Sequence, residues 1–497
     1  MSRYYVTTAI PYVNARPHLG FALELVQADV LARHHRLLGD RVRFLTGTDD
    51  NSLKNVLAAR AAGLPTAELV DRNAAAFAAL REPLALSSTD FIRTSRDARH
   101  RVGVERLWRA CADAGDLYRR HYEGLYCLGC EQFCAPADLV DGRCPEHDVE
   151  PGVVAEENWF FRLSRHADRL RELIAGGVVR IEPAARRNEV LAFLATGLHD
   201  FSASRSRARA HGWGIPVPGD PDQVVSVWWD ALVNYVSSLG YGGEGSNHRR
   251  WWVGGDRRVH VIGKGVLRFH AVQWLAMLLS AGEPLPTDIL VHDYLTTDGR
   301  KISKSAGATA DPVALVDRYG VDAVRWWLLR DVPRVGDTDF TEARLVARAN
   351  EDLANGLGNL VNRVAVVVHR YRDGRPPATT PGAGPLREAC QDAPELVRAA
   401  LAEFDFRRAT AAVWRIVEEA NRHVERVRPW DLARAERDGD AEAGRQLDAA
   451  IAALLEACRC LATHLTPFLP TLAARISEQC VALSGPLPAP RPLFPRL

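Results

Sequence analysis

The chain of 497 residues lacks the features that mark membrane-spanning, secreted and disulfide-rich proteins. No run of eighteen or more apolar residues occurs, which excludes an ordinary transmembrane helix. The first residues, MSRYYVTTAIPY, show no basic region followed by an apolar stretch, so we expect no secretory signal peptide. Nine cysteines in so long a chain do not make a disulfide scaffold. From these three absences together we expect a cytoplasmic protein with no membrane partner.

The chain also lacks an excess of charge of either sign. Lys and Arg total 63 and Asp and Glu total 62, a net charge of +1, so any nucleic acid must be bound by a local patch. Lysine is scarce, and the only lysines are Lys54, Lys264, Lys301 and Lys304. Because Lys supplies a compact, mobile point charge that Arg does not, each lysine is a candidate functional residue. The length and the ordinary globular composition, 47% hydrophobic and 25% charged, indicate two to four domains.

The first fifty residues predict a parallel β-sheet. Residues 4–8 are β-branched and aromatic, which indicates a buried strand. Apolar residues then recur at helical spacing from Phe21, with Gly39 as the expected helix end, and residues 42–46 indicate a second strand. A strand, a helix and a strand in this order form a βαβ unit. Ligands of such sheets bind beyond the carboxyl ends of the strands, where the segments AIPYVNARPHLG and GTDDN follow.

The rest of the chain changes character twice. Residues 116–154 interrupt the α/β pattern and carry four clustered cysteines, and residues 259–262 and 289–291 then indicate two more buried strands. From Asp311 onward the pattern is mostly helical. We expect a loop over residues 372–394, long helices over 396–426 and 441–460, and an extended Pro-rich tail.

Two segments have the chemistry of a phosphate site. His18 and Gly20 stand before a predicted helix, whose free N–H groups and dipole suit a phosphate; a capping loop with a chance His is the alternative. Lys301 and Lys304 lie in the sequence KISKS, which predicts a mobile cationic loop that neutralises a leaving pyrophosphate. A solvated basic turn is the alternative there. Half of all the lysines fall within these five residues, which favours a function.

A metal site is indicated by the spacing Cys127-x2-Cys130-x13-Cys144-x2-His147. Two short chelating pairs separated by a loop are typical of a tetrahedral site with three sulfur ligands and one nitrogen ligand. We expect a structural Zn²⁺ without a catalytic role, because the protein fills all four positions. Cys134 is a spare cysteine in the same loop.

Taken together, these segments resemble the two signatures of class I aminoacyl-tRNA synthetases, HIGH and KMSKS. The resemblance is closest to the methionyl-tRNA synthetase family, and it extends from Tyr4 to at least Leu432. The segments that carry it are AIPYVNARPHLG, FLTGTDD, VWWDALVNY, IGKGVLRFHAVQW, VHDYLTTDGRKISKS and RPWDLAR. It implies an α/β fold: a Rossmann-like parallel-sheet catalytic domain with a zinc-binding connective insertion and a C-terminal α-helical bundle. The implied domains are residues 1–115 and 223–285 (catalytic), 116–222 (insertion), 286–345 (stem contact with the KISKS loop) and 346–497 (anticodon binding).

The resemblance also implies a reaction, in which methionine and ATP with Mg²⁺ give methionyl-adenylate and the methionyl group then passes to tRNA(Met). It implies that His18, Lys301 and Lys304 are catalytic. ATP would be bound by His18, Gly20, Glu24, Lys264, Lys301 and Lys304. Asp49 would pair with the methionine ammonium group. The thioether would lie among Ile10, Tyr12, Trp228, Ala231, Leu232, Tyr235 and His292, where aromatic walls suit a polarizable sulfur and a phenol or imidazole can donate to it.

The C-terminal region would read the anticodon. Pro429 and Trp430 match the family's anticodon-stacking position, and an exposed Trp can stack on an unpaired base. A helix-starting Pro-Trp packed on the bundle is the alternative, and the sequence does not separate the two. The chain lacks a segment for an appended dimerisation domain, so we expect a monomer.

The match departs from the family pattern at three places. Phe21 replaces the second His of HIGH, Asp50, Asn51 and Ser52 replace Glu-His-Gly, and Gly265 replaces an Asp near ATP. These changes leave open a divergent adenylate-forming paralogue that serves another amino acid or acceptor. A non-enzymatic zinc-containing tRNA-binding protein is the third reading, and the presence of His18, Asp49 and both KISKS lysines argues against it.

Overall fold

A computed structural model describes residues 1–297, 299–302, 310–380, 382–481 and 485–497, without the side chains of residues 137, 300 and 301. The described chain divides into two compact units. The larger unit comprises Met1–Arg81 and Ser87–Tyr294, and the smaller unit comprises Glu82–Leu86, Leu295–Ile302 and the described residues from Ala310 to Leu497. In the described ranges, no helix combines the length and the apolar character needed to cross a membrane.

The larger unit combines strands and helices throughout. Its strands are β1 (Arg3–Thr8), β2 (Arg41–Thr48), β3 (Asp90–Arg93), β4 (Leu117–Cys127), β5 (Gln132–Cys134), β6 (Gly152–Phe161), β7 (Arg180–Glu182), β8 (Phe201–Ser202), β9 (Ser204–Ser206), β10 (Pro216–Val217), β11 (Asp220–Val225), β12 (Arg257–Gly263) and β13 (Asp288–His292). Its α-helices are α1 (Leu19–Leu37), α2 (Leu53–Ala61), α3 (Thr66–Ala78), α4 (Ala98–Asp113), α5 (Ala167–Ala175), α6 (Ala184–Ala195), α7 (Val227–Ser237) and α8 (Leu275–Ser280). Short 3-10 or π-helical segments are Ala79–Arg81, Pro136–Asp138, Leu163–His166, Arg249–Val253, Lys264–Val266 and Phe269–Trp274.

A parallel sheet forms the centre of this unit. Its strand order is β3-β2-β1-β12-β13-β7, and each neighbouring pair is parallel. The strands predicted at residues 4–8, 42–46, 259–262 and 289–291 are confirmed as β1, β2, β12 and β13. Both faces are covered, and β13 is buried along its whole length, as the apolar sequence of a central parallel strand requires. The predicted α/β fold is confirmed.

The insertion between the two halves of this sheet is mostly antiparallel. A four-stranded sheet has the order β5-β4-β6-β8. The predicted metal ligands lie at the last residue of β4, Cys127, and in the loops that follow β4 and β5. A second sheet has the order β10-β11-β9. The long β4–β6 pairing, from Leu117 opposite Phe161 to Tyr126 opposite Gly152, brings the cysteine loop back to the end of β4.

The smaller unit is mainly helical, as predicted. Its α-helices are α9 (Pro312–Tyr319), α10 (Val321–Arg330), α11 (Glu342–Arg348), α12 (Asn359–Arg372), α13 (Pro385–Ala402), α14 (Phe406–Val427), α15 (Pro429–Arg437), α16 (Ala441–His464) and α17 (Pro470–Cys480), with a π-helical segment at Ala349–Gly358. The described short strands are β14 (Leu295–Thr297), β15 (Arg300–Lys301) and β16 (Thr338–Asp339), in the order β15-β14-β16.

Two predictions about these helices are wrong. The loop predicted to reach Pro394 ends earlier, because α13 begins at Pro385 and keeps Pro394 inside it; its apolar face, which includes Leu386 and Val397, is buried. The single helix predicted over 396–426 is broken at Phe404, which has a positive φ of 53° and a buried ring. The Asp405 carboxylate then caps α14 by accepting from the Arg408 N–H.

Candidate active site

The predicted ligand-binding segments lie at one edge of the parallel sheet. Ile10 and Tyr12 follow β1, Asp49 follows β2, and Lys264 follows β12. The Asp49 N–H donates to the Pro11 carbonyl at 3.0 Å, which joins the first two segments side by side. Because all these strands are parallel, their carboxyl ends meet at this edge, as the βαβ pattern predicted.

His18 caps the helix that starts at this edge. Its Nδ1 accepts a hydrogen bond from the Gly20 N–H at 3.1 Å, at the N-terminus of α1. In the neutral ring the proton is therefore on Nε2, which is a donor suited to a phosphate oxygen. A Cβ at position 20 would lie 3.0 Å from the His18 ring, so Gly20 also makes room for the cap.

Asp49 is a buried carboxylate in an acidic environment. Its side chain is 1% exposed, and within the described chain its Oδ1 has no hydrogen-bond partner. Burial raises the pKa of Asp49 well above its usual value, and the neighbouring carboxylates of Asp230 and Glu131 raise it further. A buried carboxylate of this kind is stabilised by a cation that arrives with a ligand.

The neighbouring carboxylate of Asp230 has protein partners on both oxygens. His100 Nε2 lies 2.5 Å from Asp230 Oδ1, and the Asn51 amide donates to Oδ2 at 2.7 Å. Asn51 is one of the departures from the family pattern, and here it anchors the first turn of α7. Asp49, with one unpartnered oxygen, is therefore better placed than Asp230 to receive an ammonium group.

Aromatic rings lie beside Asp49. The Tyr12 and Trp228 rings meet edge to face with centroids 6.2 Å apart, and Trp228 stacks on Phe269 at 3.5 Å. The Trp228 indole N–H donates to the Cys130 carbonyl at 2.7 Å. These contacts fix one wall of an apolar, polarizable cleft. Ala231 and Leu232 on the same helix are buried, and Leu232 is part of the hydrophobic core.

A second group of predicted residues forms a chain of polar contacts. His292 Nε2 is 3.1 Å from Glu24 Oε2, and His292 Nδ1 donates to the Asp293 carbonyl at 2.9 Å. Burial raises the pKa of Glu24, while its hydrogen bond to His292 lowers it. One proton must lie between His292 Nε2 and Glu24 Oε2, because both atoms are acceptors when neither is protonated.

The Tyr235 hydroxyl donates its hydrogen bond to another side chain of the protein. His270 Nδ1 donates to the Val266 carbonyl at 2.9 Å, so its Nε2 accepts from the Tyr235 hydroxyl at 2.6 Å. Burial lowers the pKa of His270 to about 4, which keeps the ring neutral and preserves this arrangement. Burial also raises the pKa of Tyr235 well above its usual value. The Tyr235 hydroxyl, one of the phenols predicted to line the thioether pocket, therefore already donates to His270, a residue that sequence reasoning missed.

The four predicted metal ligands come together. Their ligand atoms all lie within 4.8 Å of one another. The Cys130 sulfur is 3.5 Å from the Cys144 sulfur and 3.4 Å from His147 Nδ1. Tetrahedral zinc with Zn–S bonds of about 2.3 Å has sulfur–sulfur edges of about 3.8 Å, so the donor set fits the ion. Cys134 is outside this group; its thiol points to the Gln132 carbonyl.

Glu131, next to Cys130, links the cysteine loop to the sheet edge. It ion-pairs with Arg205 at 2.8 Å, where the two side chains are 0% and 3% exposed, and accepts from the Lys54 N–H and the Ser52 hydroxyl. Ser52 is another departure from the family pattern and also caps α2. Sequence reasoning missed Glu131 and Arg205; the only local signal was the position of Glu131 beside a metal ligand.

The other two departures also have structural consequences. Phe21 is buried, and its ring centroid lies 5.3 Å from that of Phe77. It is therefore a packing residue in this protein. At Gly265, a Cβ would lie 2.1 Å from the Tyr294 hydroxyl, so that hydroxyl occupies the place of a larger side chain. Asp293 supplies a carboxylate nearby, 4.0 Å from the Lys264 ammonium, and ion-pairs with Arg186.

The remaining predicted residues belong to the smaller unit or are not described. Lys304 lies outside the described residues, and Lys301 is placed by its backbone alone, opposite Thr296 in the β14–β15 pair. Pro429 is buried at the first position of α15, whereas Trp430 is 41% exposed. Arg428, with a positive φ of 51°, turns the chain between α14 and α15 and ion-pairs with Asp431 at 2.7 Å.

The chain combines a parallel-sheet domain, a helix capped by His18 at the sheet edge and a Cys/His cluster in the insertion, and this combination is that of a class I aminoacyl-tRNA synthetase. The sequence model of the family described as "tRNA synthetases class I (M)" matches residues 4–152 and 129–365. The chain belongs to the methionyl-tRNA synthetase family.

Relatives and solved structures support this assignment. The Methionine--tRNA ligase of Caldanaerobacter subterraneus is 38% identical over 96% of this chain and 73% of the relative, and that of Mycobacterium bovis is 39% identical over 100% and 98%. The structure of Mycobacterium tuberculosis methionyl-tRNA synthetase in complex with methionyl-adenylate is similar over 100% of both chains, with a TM-score of 0.93 and 38% identity. Its apo form has a TM-score of 0.87 at 36% identity, over 100% of this chain and 98% of that one.

Proposed function

We propose that this protein ligates methionine to tRNA(Met) through a methionyl-adenylate. The observation that carries this proposal is the buried Asp49 carboxylate with an unpartnered oxygen, beside the Tyr12–Trp228 wall and at the edge where the His18 helix begins. An α-ammonium group satisfies the carboxylate, and a thioether suits the aromatic wall. Relatives named Methionine--tRNA ligase, over almost the whole chain, favour this reaction over the divergent paralogue.

The proposed reaction has two steps. A methionine carboxylate oxygen attacks the α-phosphorus of ATP, the bond to the β-phosphate breaks, and pyrophosphate leaves. A ribose hydroxyl of the terminal adenosine of the tRNA then attacks the methionyl carbonyl, and AMP leaves. Mg²⁺ would accompany the nucleotide and screen its phosphates.

We assign the following roles. His18 Nε2 donates to a phosphate oxygen at the N-terminus of α1, where Gly20 keeps the backbone accessible. Lys301 and Lys304 neutralise the departing pyrophosphate, a charge that grows in the transition state. The remaining nucleotide contacts are assigned to Glu24 and Lys264. The thioether pocket is assigned to Ile10, Tyr12, Trp228, Ala231, Leu232, Tyr235 and His292.

The same proposal covers the organisation of the chain. We retain residues 1–115 and 223–285 as catalytic halves, 116–222 as the insertion, 286–345 as the stem-contact region and 346–497 as the anticodon-binding domain. We also propose a cytoplasmic location and a monomer. Sedimentation should give one species at the 54.9 kDa mass of a single chain; a concentration-dependent dimer would contradict the monomer.

Pyrophosphate exchange into ATP tests the first step directly. With the standard amino acids supplied singly and no tRNA present, exchange is expected with methionine alone. Exchange with a different amino acid would instead support the divergent paralogue. Exchange with methionine but no charging of tRNA(Met) would overturn the second step while leaving the first intact.

The metal assignment predicts different results for two cysteines of the same loop. Cys144→Ser removes one of the four ligands and should abolish tight zinc binding. Cys134→Ser, the matched control, should retain about one zinc per chain. Elemental analysis of the dialysed proteins measures this. Retained zinc in Cys144→Ser together with lost zinc in Cys134→Ser would contradict the ligand set.

The anticodon assignment predicts an effect on charging only. Trp430→Ala should reduce kcat/KM for tRNA by about 5- to 150-fold, since one base–aromatic stack contributes about 1–3 kcal/mol. Pyrophosphate exchange should stay unchanged, because Trp430 is an exposed side chain of the helical unit. Leu396→Ala, at a similar exposure of 42% against 41%, is the control and should leave both reactions unchanged. Loss of both reactions in Trp430→Ala would show a structural role instead.

A further inference from the structure

Lys264 follows directly after β12, at the sheet edge where the proposed nucleotide site lies. It is one of only four lysines in the chain. The next residue is Gly265, so the position beside it has no side chain that could hold the ammonium group. A lysine ammonium is a point charge on a flexible four-carbon stem, and it stays in one place only where neighbouring groups restrict it.

The first such group is the carboxylate of Asp293, which strand register brings to Lys264. Strands β12 and β13 are parallel neighbours, and Gly263 pairs with His292 at their carboxyl ends. Lys264 and Asp293 are the next residues after this pair. The Lys264 ammonium lies 4.0 Å from Asp293 Oδ1, and the Asp293 side chain is only 4% exposed. Because little water screens a buried carboxylate, it attracts the ammonium more strongly than an exposed one would.

The same carboxylate also binds a second cation. Arg186, on α6, ion-pairs with Asp293 through the same oxygen, Oδ1. Glu189, one turn further along α6, pairs with Arg186 at 2.7 Å. Without the Asp293 carboxylate, Arg186 and Lys264 would be neighbouring cations that have lost the anion joining them. The flexible Lys264 side chain would then move away from the guanidinium.

The ring of Tyr294 is the second group that restricts Lys264. The Lys264 ammonium lies 4.5 Å from the ring centroid, within the range of a cation–π interaction. The Tyr294 hydroxyl donates to Glu146 Oε2 at 3.2 Å, which fixes the orientation of the ring. A Cβ at position 265 would lie 2.1 Å from this hydroxyl, so a residue larger than Gly265 would displace the ring.

We propose that Asp293 is a positioning residue for nucleotide binding, whose carboxylate holds the Lys264 ammonium against the Tyr294 ring before ATP arrives. The inference rests on the proposed function, in which Lys264 contacts ATP. Asp293 acts through Lys264 and does not itself touch the nucleotide. An ammonium group that is already in place loses less conformational freedom when a phosphate binds. The Arg186 guanidinium balances the charge of Asp293, which limits its repulsion of the phosphates.

The ATP affinity of the full-length, zinc-loaded protein tests this proposal. Equilibrium dialysis with ATP and Mg²⁺ measures Kd in the absence of methionine, and pyrophosphate exchange measures KM for ATP and KM for methionine separately. The nearly isosteric Asp293→Asn should raise Kd and KM for ATP by about 10- to 100-fold, the effect of a binding group that is slightly misplaced. KM for methionine should change little.

A second carboxylate of the same strand separates positioning from stability. Asp288 lies at the opposite end of β13, its side chain is also 4% exposed, and it pairs with Arg257 at 2.8 Å and with Arg180 at 3.0 Å. Asp288→Asn should lower the midpoint of urea unfolding at least as much as Asp293→Asn does, and it should leave Kd for ATP unchanged. Equal losses of ATP affinity in the two variants would show that Asp293 only stabilises the fold, and would overturn the proposal.

A double-variant cycle tests whether Asp293 acts through Lys264. Lys264→Gln should weaken ATP binding, and adding Asp293→Asn should cause no further loss, since the group that Asp293 holds is then absent. Additive losses would contradict this route. Asp293→Glu keeps the charge and should retain most of the ATP affinity. If Asp293→Glu folds but binds ATP as weakly as Lys264→Gln, the proposal fails, whether or not Asp293→Asn folds.

These outcomes are distinct from a failure of the proposed function. If the wild-type protein binds ATP and exchanges pyrophosphate with methionine but Asp293→Asn has no effect, only the role of Asp293 is wrong. If exchange depends on a different amino acid, the methionine assignment is wrong, and Kd for ATP still decides the role of Asp293. If the wild-type protein does not bind ATP, both the proposed reaction and the role of Asp293 are wrong.

Discussion

Replacing Asp49 by Asn is expected to lower kcat/KM for methionine in pyrophosphate exchange by about 30- to 5,000-fold. The figure corresponds to the about 2–5 kcal/mol lost when one partner of a buried charge pair is removed. Most of the loss should be an increase in KM for methionine, with little change in KM for ATP. The reason is that the ammonium group would meet an amide where an unpartnered carboxylate oxygen now lies.

The neighbouring carboxylate provides the control for this variant. Oδ2 of Asp50 accepts from the Ser95 hydroxyl at 2.7 Å and from Arg93 Nε at 3.1 Å, so the charge of this carboxylate already has a cationic partner, although its Oδ1 is unpartnered like that of Asp49. Asp50→Asn should lower stability without a large change in KM for methionine. A large KM effect in Asp50→Asn with none in Asp49→Asn would overturn the assignment of the ammonium site.

The raised pKa of Asp49 allows a second, independent test of its assignment as the ammonium site. Burial and the neighbouring carboxylates raise the pKa of Asp49, so its neutral form persists to higher pH than that of an ordinary Asp. An ammonium group binds the ionised form, and methionine binding should therefore release a proton. Affinity for methionine should rise as pH increases through the pKa of Asp49 and then level off. Calorimetry in buffers of different ionisation enthalpy measures the proton released, which should disappear in Asp49→Asn.

Replacing Glu131 by Ala should have the largest effect on stability. Arg205, 3% exposed, would then be a buried charge without its carboxylate, and such a loss costs about 3–5 kcal/mol. The Ser52 hydroxyl would lose its acceptor at the same time, and the Lys54 N–H would keep only its bond to Ser52 Oγ. The midpoint of urea unfolding of the larger unit, followed by Trp fluorescence, measures the change.

An exposed ion pair of the same unit serves as the comparison. Arg101, 65% exposed, pairs with Glu105 on α4, and Glu105→Ala should cost less than about 1 kcal/mol. In Glu131→Ala combined with Arg205→Met, the uncompensated charge is absent, so much of the lost stability should return. Equal effects of Glu131→Ala and Glu105→Ala would show that the buried pair adds nothing beyond an exposed one.

The sequence by itself determined the elements that local patterns encode. The strands β1, β2, β12 and β13 were predictable because alternating or continuous apolar residues and their flanking turns lie within a few positions of each other. The metal ligands were predictable for the same reason, since Cys127 and Cys130 form one short chelating pair and Cys144 and His147 form the other. Parallel pairing then followed from the order of the elements, and it placed Tyr12 and Asp49 at one edge.

Only the tertiary structure decided which distant side chains satisfy one another. Glu131 and Arg205 are 74 residues apart, and His100 and Asp230 are 130 apart, so no local periodicity records either pair. Local sequence also does not record that the Tyr235 hydroxyl donates to His270. Nor does it record that the missing side chain of Gly265 leaves room for the Tyr294 hydroxyl. Local sequence fixes backbone preferences over a few residues, whereas the cost of burying a charge or a polar group is met by whichever partner the folded chain brings within hydrogen-bond reach.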